Sequence, residues 1–175
     1  MQVFVPATLA MLERLVADGS LWPVNGTAFA VTPTLRESYA EGDDDELADV
    51  ALREAALASL RLLATDSDAS ANAGLAPPLR RVVLAADIDL EAGQVSYRPD
   101  LDDAVVRLGG PVEIDRIIAA YVDNADAEPA VASAIEVIDA ADMGDEDADL
   151  IVGDAQDHDL AWYANQELPF LLELL

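Results

Sequence analysis

The residues with the widest chemical reach in this chain are carboxylates. Its 175 residues hold 35 Asp and Glu against nine arginines, with one histidine, no cysteine and no lysine. Asp66 with Asp68, Asp87 with Asp89, Asp100 with Asp102 and Asp103, and Asp145 with Asp147 and Asp149 are groupings of the oxygen ligands that magnesium or calcium takes. A calcium loop opening at Asp145 fails, because Leu150 stands where the sharp turn needs glycine and Gln156 where a bidentate glutamate is needed. Helical spacing offers another arrangement. Asp145 and Asp149 share a face one turn apart, and Asp154 meets His158 if the helix extends that far. Asp145, Asp149, Asp154 and His158 are therefore the candidate metal set, able in principle to hold magnesium or calcium and activate water for hydrolysis. Outside that reading no cofactor is expected.

Other chemistries lack their parts. His158 beside Asp157 and Asp159 has the makings of an oriented general base, but no serine lies in a Gly-x-Ser-x-Gly elbow. The His158-Asp159 dipeptide resembles that of histidine–aspartate phosphohydrolases, whose motif requires further histidines. Without lysine there is neither a Walker phosphate loop nor Schiff-base chemistry, and without cysteine there is no thiol nucleophile, thiolate metal site or disulfide. No Gly-x-Gly-x-x-Gly fingerprint supports a dinucleotide. A polar cleft is the remaining idea: Arg36 and Glu37 on a short early helix, with Tyr163, Gln166 and Glu167 near the end of the chain, are the candidate interaction residues.

These residues have to be positioned by a folded body, and a hydrophobic share of 53% can supply a core. Residues 1–5 alternate as a strand that Pro6 should end. Thr8 can cap a helix over 9–17 that closes at Asp18-Gly19. Turn signals at Trp22-Pro23 and Asn25-Gly26 precede a strand over 27–31, and Thr32-Pro33 opens a short helix over 34–39. Leu47, Val50, Leu57, Leu60 and Ala64 recur at helical spacing over 44–64, with Asp43, Asp44, Asp45 and Glu46 at the helix N-terminus where the macrodipole favours negative charge and Asp49 placed to pair with Arg53. Residues 66–79 read as a surface loop and 91–94 as a turn. Strands are expected over 81–86, 95–98, 104–108 and 158–164, and helices over 128–139, 145–155 and 168–174. Residues 112–123 fit helix and strand alike, and a turn of helix followed by a strand to Asp123 is favoured. The expectation is one α/β (α+β) domain over 1–175, a mixed β-sheet packed with helices.

Charge limits the partners. Residues 42–149 hold 26 of the 35 acids, giving the middle of the chain a strongly negative field. Only Arg80 and Arg81 are adjacent cations, so direct nucleic-acid binding is not expected, whereas a basic protein surface is favoured. No apolar run approaches the roughly 18 residues of a membrane helix, so a membrane is not expected as a partner either. The apolar stretch 168–175 either docks on the domain's own core or supports a homodimer.

Met1-Gln-Val-Phe-Val-Pro-Ala-Thr, Thr27-Ala-Phe-Ala-Val-Thr-Pro-Thr-Leu-Arg-Glu, Gly144-Asp-Glu-Asp-Ala and His158-Asp-Leu-Ala-Trp-Tyr-Ala-Asn-Gln-Glu-Leu together make most of the chain resemble a family of uncharacterised acidic proteins of mycobacteria, streptomycetes and other actinobacteria. The resemblance implies a cytoplasmic protein of a high-GC bacterium and brings no activity, substrate or cofactor. The resulting expectation is a non-enzymatic acidic module for a basic protein surface, one form of which imitates nucleic acid. The alternative is a divalent-metal-dependent hydrolase built near His158.

Overall fold

The computed structural model describes residues 1–39, 41–70, 78–89 and 95–174. Its strands are β1 (Gln2–Ala7), β2 (Ser20–Leu21), β3 (Thr27–Phe29), β4 (Val82–Asp87), β5 (Val95–Tyr97), β6 (Val105–Leu108), β7 (Val112–Glu113), β8 (Ile117–Asp123) and β9 (Leu160–Ala164). The helices are α1 (Leu9–Asp18), α2 (Pro33–Ser38), α3 (Asp44–Ser70), α4 (Glu128–Asp142), α5 (Glu146–Gln156) and α6 (Leu168–Glu173). Seven strands form one sheet in the order β5-β6-β3-β1-β4-β8-β9, and β2 pairs with β7 alone. The α/β class with helices packed on a sheet is as expected. Every pairing among the described residues is antiparallel, so the expected mixed sheet contains no parallel pair there. Between β8 and β9 the reason is the linker: two helices in succession return the chain to the end it left.

Both faces of the sheet are covered. Val3, Val5 and Ala7 of β1 join Leu84, Ala120 and Val122 in a core closed by Leu9, Leu12 and Leu15 of α1 and by Leu168 and Leu171 of α6. Phe4, Val83 and Ala85 point the other way, against Leu47, Ala51, Ala55 and Ala56 of α3. The alanines let that helix lie close to the strands. Its farther turns carry Leu60 and Leu63 into a third cluster with Val131, Ala134 and Ile138 of α4 and Val152 and Ala155 of α5. The C-terminal segment thus docks on its own core, leaving Phe170 and Leu174 exposed.

Local signals act as the sequence implies. The Thr8 hydroxyl accepts from the Met11 amide, and Gly19 closes α1 at φ 80°. Thr32 accepts from Leu35 N–H, and Asp145 from Ala148 N–H. Residues 114–116 form a single 3-10 turn before β8, which settles the ambiguous stretch. Pro6, in contrast, does not end β1. The Ser59 hydroxyl donates to the Ala7 carbonyl (2.7 Å) and accepts from Val82 N–H (3.0 Å), so Ala7 directs its polar groups toward β4 and Pro6 directs its own the opposite way. There the register with β3 consists of the Phe4–Phe29 pair, so the missing N–H costs no ladder bond. Helix α3 runs on to Ser70 through part of the expected loop. The rest of that loop, 71–77, and the turn at 91–94 lie outside the described residues.

Candidate functional site

The candidate metal set does not assemble. The Asp145 carboxylate is taken by the amide it caps (2.9 Å), Asp149 and Asp154 are exposed along α5, and His158 follows its end. Among the described residues no three His, Asp or Glu side chains form a group that could hold a metal ion. Helical spacing aligned these carboxylates along one short helix, and among the described residues no ligand from a second element converges on them.

The expected polar cleft is divided by the sheet order. Arg36 and Glu37 lie on α2, which Thr32 and Ser38 tie to Asp103 at the head of β6; Arg36 pairs with Asp44 at 2.6 Å. Tyr163 stands on β9, at the other end of the sheet and toward the α1 side of the core. Gln166 and Glu167 are exposed in the 3-10 turn that follows. The first pair and the last three therefore share no pocket.

What the fold does bring together is a group centred on Arg81, in the segment entering β4. Its side chain is 1% exposed and faces Asp123, at the end of β8, which is wholly buried. Asp123 Oδ2 accepts from the Arg81 amide (2.8 Å) and from Nε (2.9 Å), and Oδ1 accepts from Nη2 (2.7 Å). Nη2 also donates to the His158 carbonyl (2.7 Å) and Nη1 to Gln156 Oε1 (2.9 Å). Gln156 Nε2 in turn donates to the Arg53 carbonyl on α3 (3.1 Å). One guanidinium thus ties β4, β8, the end of α5 and the approach to β9 together, and His158 contributes its backbone to this network.

Beside this group is a cleft of about 210 Å³, lined by Arg53, Arg81, Tyr121, Gln156, His158 and Asp159 over an apolar floor of Leu52, Ala56 and Leu160. Burial, followed by the nearby Asp49 charge, raises the Tyr121 phenol pKa, so the group stays a neutral donor. The expected Asp49–Arg53 ion pair is not formed among the described residues. Chemically, the cleft is a small hydrogen-bonding recess above a fixed, neutralised ion pair. Sequence reading missed Arg81 and Asp123, although a charge entering a run as apolar as Val82-Val83-Leu84-Ala85-Ala86 signals the need for a partner.

Most of the other described acids are exposed, with Glu54, Asp103 and Glu128 half-buried. Asp123 is the one carboxylate buried among the described residues. Arg61 hydrogen-bonds and neutralises Asp142, holding its pKa below the ordinary value, and Arg98 does the same for Asp100. Glu54 is shifted upward, first by burial and then by repulsion from Asp102.

A model of a family of unknown function (DUF6912) matches residues 1–172. No curated protein and no solved structure matches the chain significantly.

Proposed function

Because the chain belongs to that family of unknown function, membership brings no activity with it, and we propose that the protein is a non-enzymatic acidic module that binds a basic protein surface. The carrying observation is the placement of its acids: among the described residues Asp123 alone is buried, already matched by Arg81, and most of the other carboxylates are exposed. A formal charge of −26 arranged this way attracts cationic partners over long range, and in one form of the reading it imitates the phosphate charge of nucleic acid. The setting proposed for it is the cytoplasm of an actinobacterium. No helix among the described residues is long and apolar enough to cross a membrane.

Binding of a fluorescent arginine-rich peptide, compared with a glutamate-rich one, tests this. The cationic peptide should bind at low ionic strength and weaken steeply as the screening length falls to about 10 Å near 0.1 M salt. Affinity indifferent to salt, or equal for both peptides, refutes the proposal.

A further inference from the structure

The open edge of the sheet at β9 says how such a partner would dock. Each interior strand is paired on both sides, whereas among the described residues β9 is paired with β8 alone, so alternate amide and carbonyl groups along Leu160–Ala164 point away from the sheet. Natural edges are usually blunted by charge, proline, a bulge or brevity. The opposite edge, β5, is three residues long. Strand β9 has none of these protections: Leu160-Ala161-Trp162-Tyr163-Ala164 contains neither a charge nor a proline, and it follows β8 in unbroken register over all five residues. None of the five is buried, and Trp162 is 56% exposed. Exposed acids flank the strand, with Asp157 and Asp159 before it and Glu167 after it.

We infer that β9 accepts an extended basic segment of a partner protein as an eighth strand. Main-chain hydrogen bonds to the free edge supply affinity, apolar side chains of the segment lie beside Trp162, and its Arg or Lys residues meet Asp157, Asp159 and Glu167. Charge selects this occupant. A second copy would set another −26 against the first, whereas a basic strand lowers the repulsion it meets. The inference rests on the proposed function and adds the mode of docking to it.

Replacing Trp22 by phenylalanine leaves Trp162 as the single tryptophan and the reporter of its own edge. The probe is a short peptide alternating valine and arginine, compared with versions N-methylated on alternate amides in either frame, which keep the charge but lose one edge of backbone pairing. The unmodified peptide should bind and shift Trp162 emission to the blue. One methylated frame should bind weaker by about tenfold or more, since several main-chain bonds are lost together. Trp162→Thr, a charge-neutral change at an exposed position read with a dye-labelled form of the peptide, should weaken binding while leaving the urea unfolding curve in place. If all the peptides bind alike, the strand mode falls and charge-driven binding stands. If none binds, both readings fall. Sedimentation showing a dimer of the free protein with Trp162 already shielded would give the edge to a second copy and overturn the inference.

Discussion

Replacing Asp123 by asparagine removes one charge from an ion pair that is almost wholly shielded from solvent. Arg81 and Asp123 have side-chain exposures of 1% and 0%, and the carboxylate accepts three hydrogen bonds of 2.7–2.9 Å from that one arginine. In the variant the guanidinium keeps Gln156 Oε1 and the His158 carbonyl but carries an unbalanced buried charge. Removing one partner of such a pair costs about 3–5 kcal/mol, and at about 2–4 °C per kcal/mol for a domain of this size the Tm should fall by roughly 6–20 °C. Urea unfolding followed by far-UV circular dichroism gives the number directly. Asp142→Asn is the internal standard: its pair with Arg61 is nearly half exposed on both sides, so its loss should cost less than about 1 kcal/mol. Arg81→Met with Asp123→Leu should cost less than the sum of the single changes, because together they leave no lone buried charge. If Asp123→Asn costs no more than Asp142→Asn, the reasoning about the buried pair is wrong.

Three further changes probe other parts of the fold. Ser59→Ala strands the Ala7 carbonyl and the Val82 N–H in the core and should cost about 1–3 kcal/mol for each group left unpaired, read from the same unfolding curves; a neutral result would mean that β1 and β4 close the gap directly. Gly26 has φ +68°, and a Cβ there would lie 2.7 Å from the Leu108 carbonyl oxygen, so Gly26→Ala should destabilise by about 1–3 kcal/mol, measured as a lowered urea midpoint. Glu54 has a raised folded-state pKa, so its protonated form favours folding below the ordinary carboxylate pKa and that contribution is lost as pH rises through the folded value. Glu54→Gln should accordingly have the higher Tm at neutral pH, with the gap closing as the buffer is acidified; a gap independent of pH rejects this.

Much of the fold was legible because its signals are local. Thr8 with Gly19, Thr32 before Pro33 and Asp145 mark helix ends by hydrogen bonds that span a few residues, and α3 announces itself through repeated apolar spacing. The two-residue strands β2 and β7 hold no period to detect. Pro6 misled because its cost depends on which neighbour its missing N–H would face, and the β1–β3 register, which holds the Phe4–Phe29 pair alone, is set by tertiary structure. The site was harder still. Arg36 and Tyr163 look combinable in one dimension, but the strand order sets them at opposite ends of the sheet. Arg81 and Asp123 lie 42 residues apart, and their meeting is a product of β4 pairing with β8.

The central place of β1 also bears on how the chain assembles. Gln2–Ala7 finds its longest partner in Val82–Asp87, and Phe29 at the end of β3 meets Val105. The middle of the sheet can therefore close only after loops of many tens of residues have come together, a slow step by loop-closure entropy and contact order. The α4–α5 hairpin needs only its own neighbourhood. Gln2–Ala7 must therefore stay without its longest partner until Val82–Asp87 has folded back on it, and the apolar face of β1 remains uncovered for that interval.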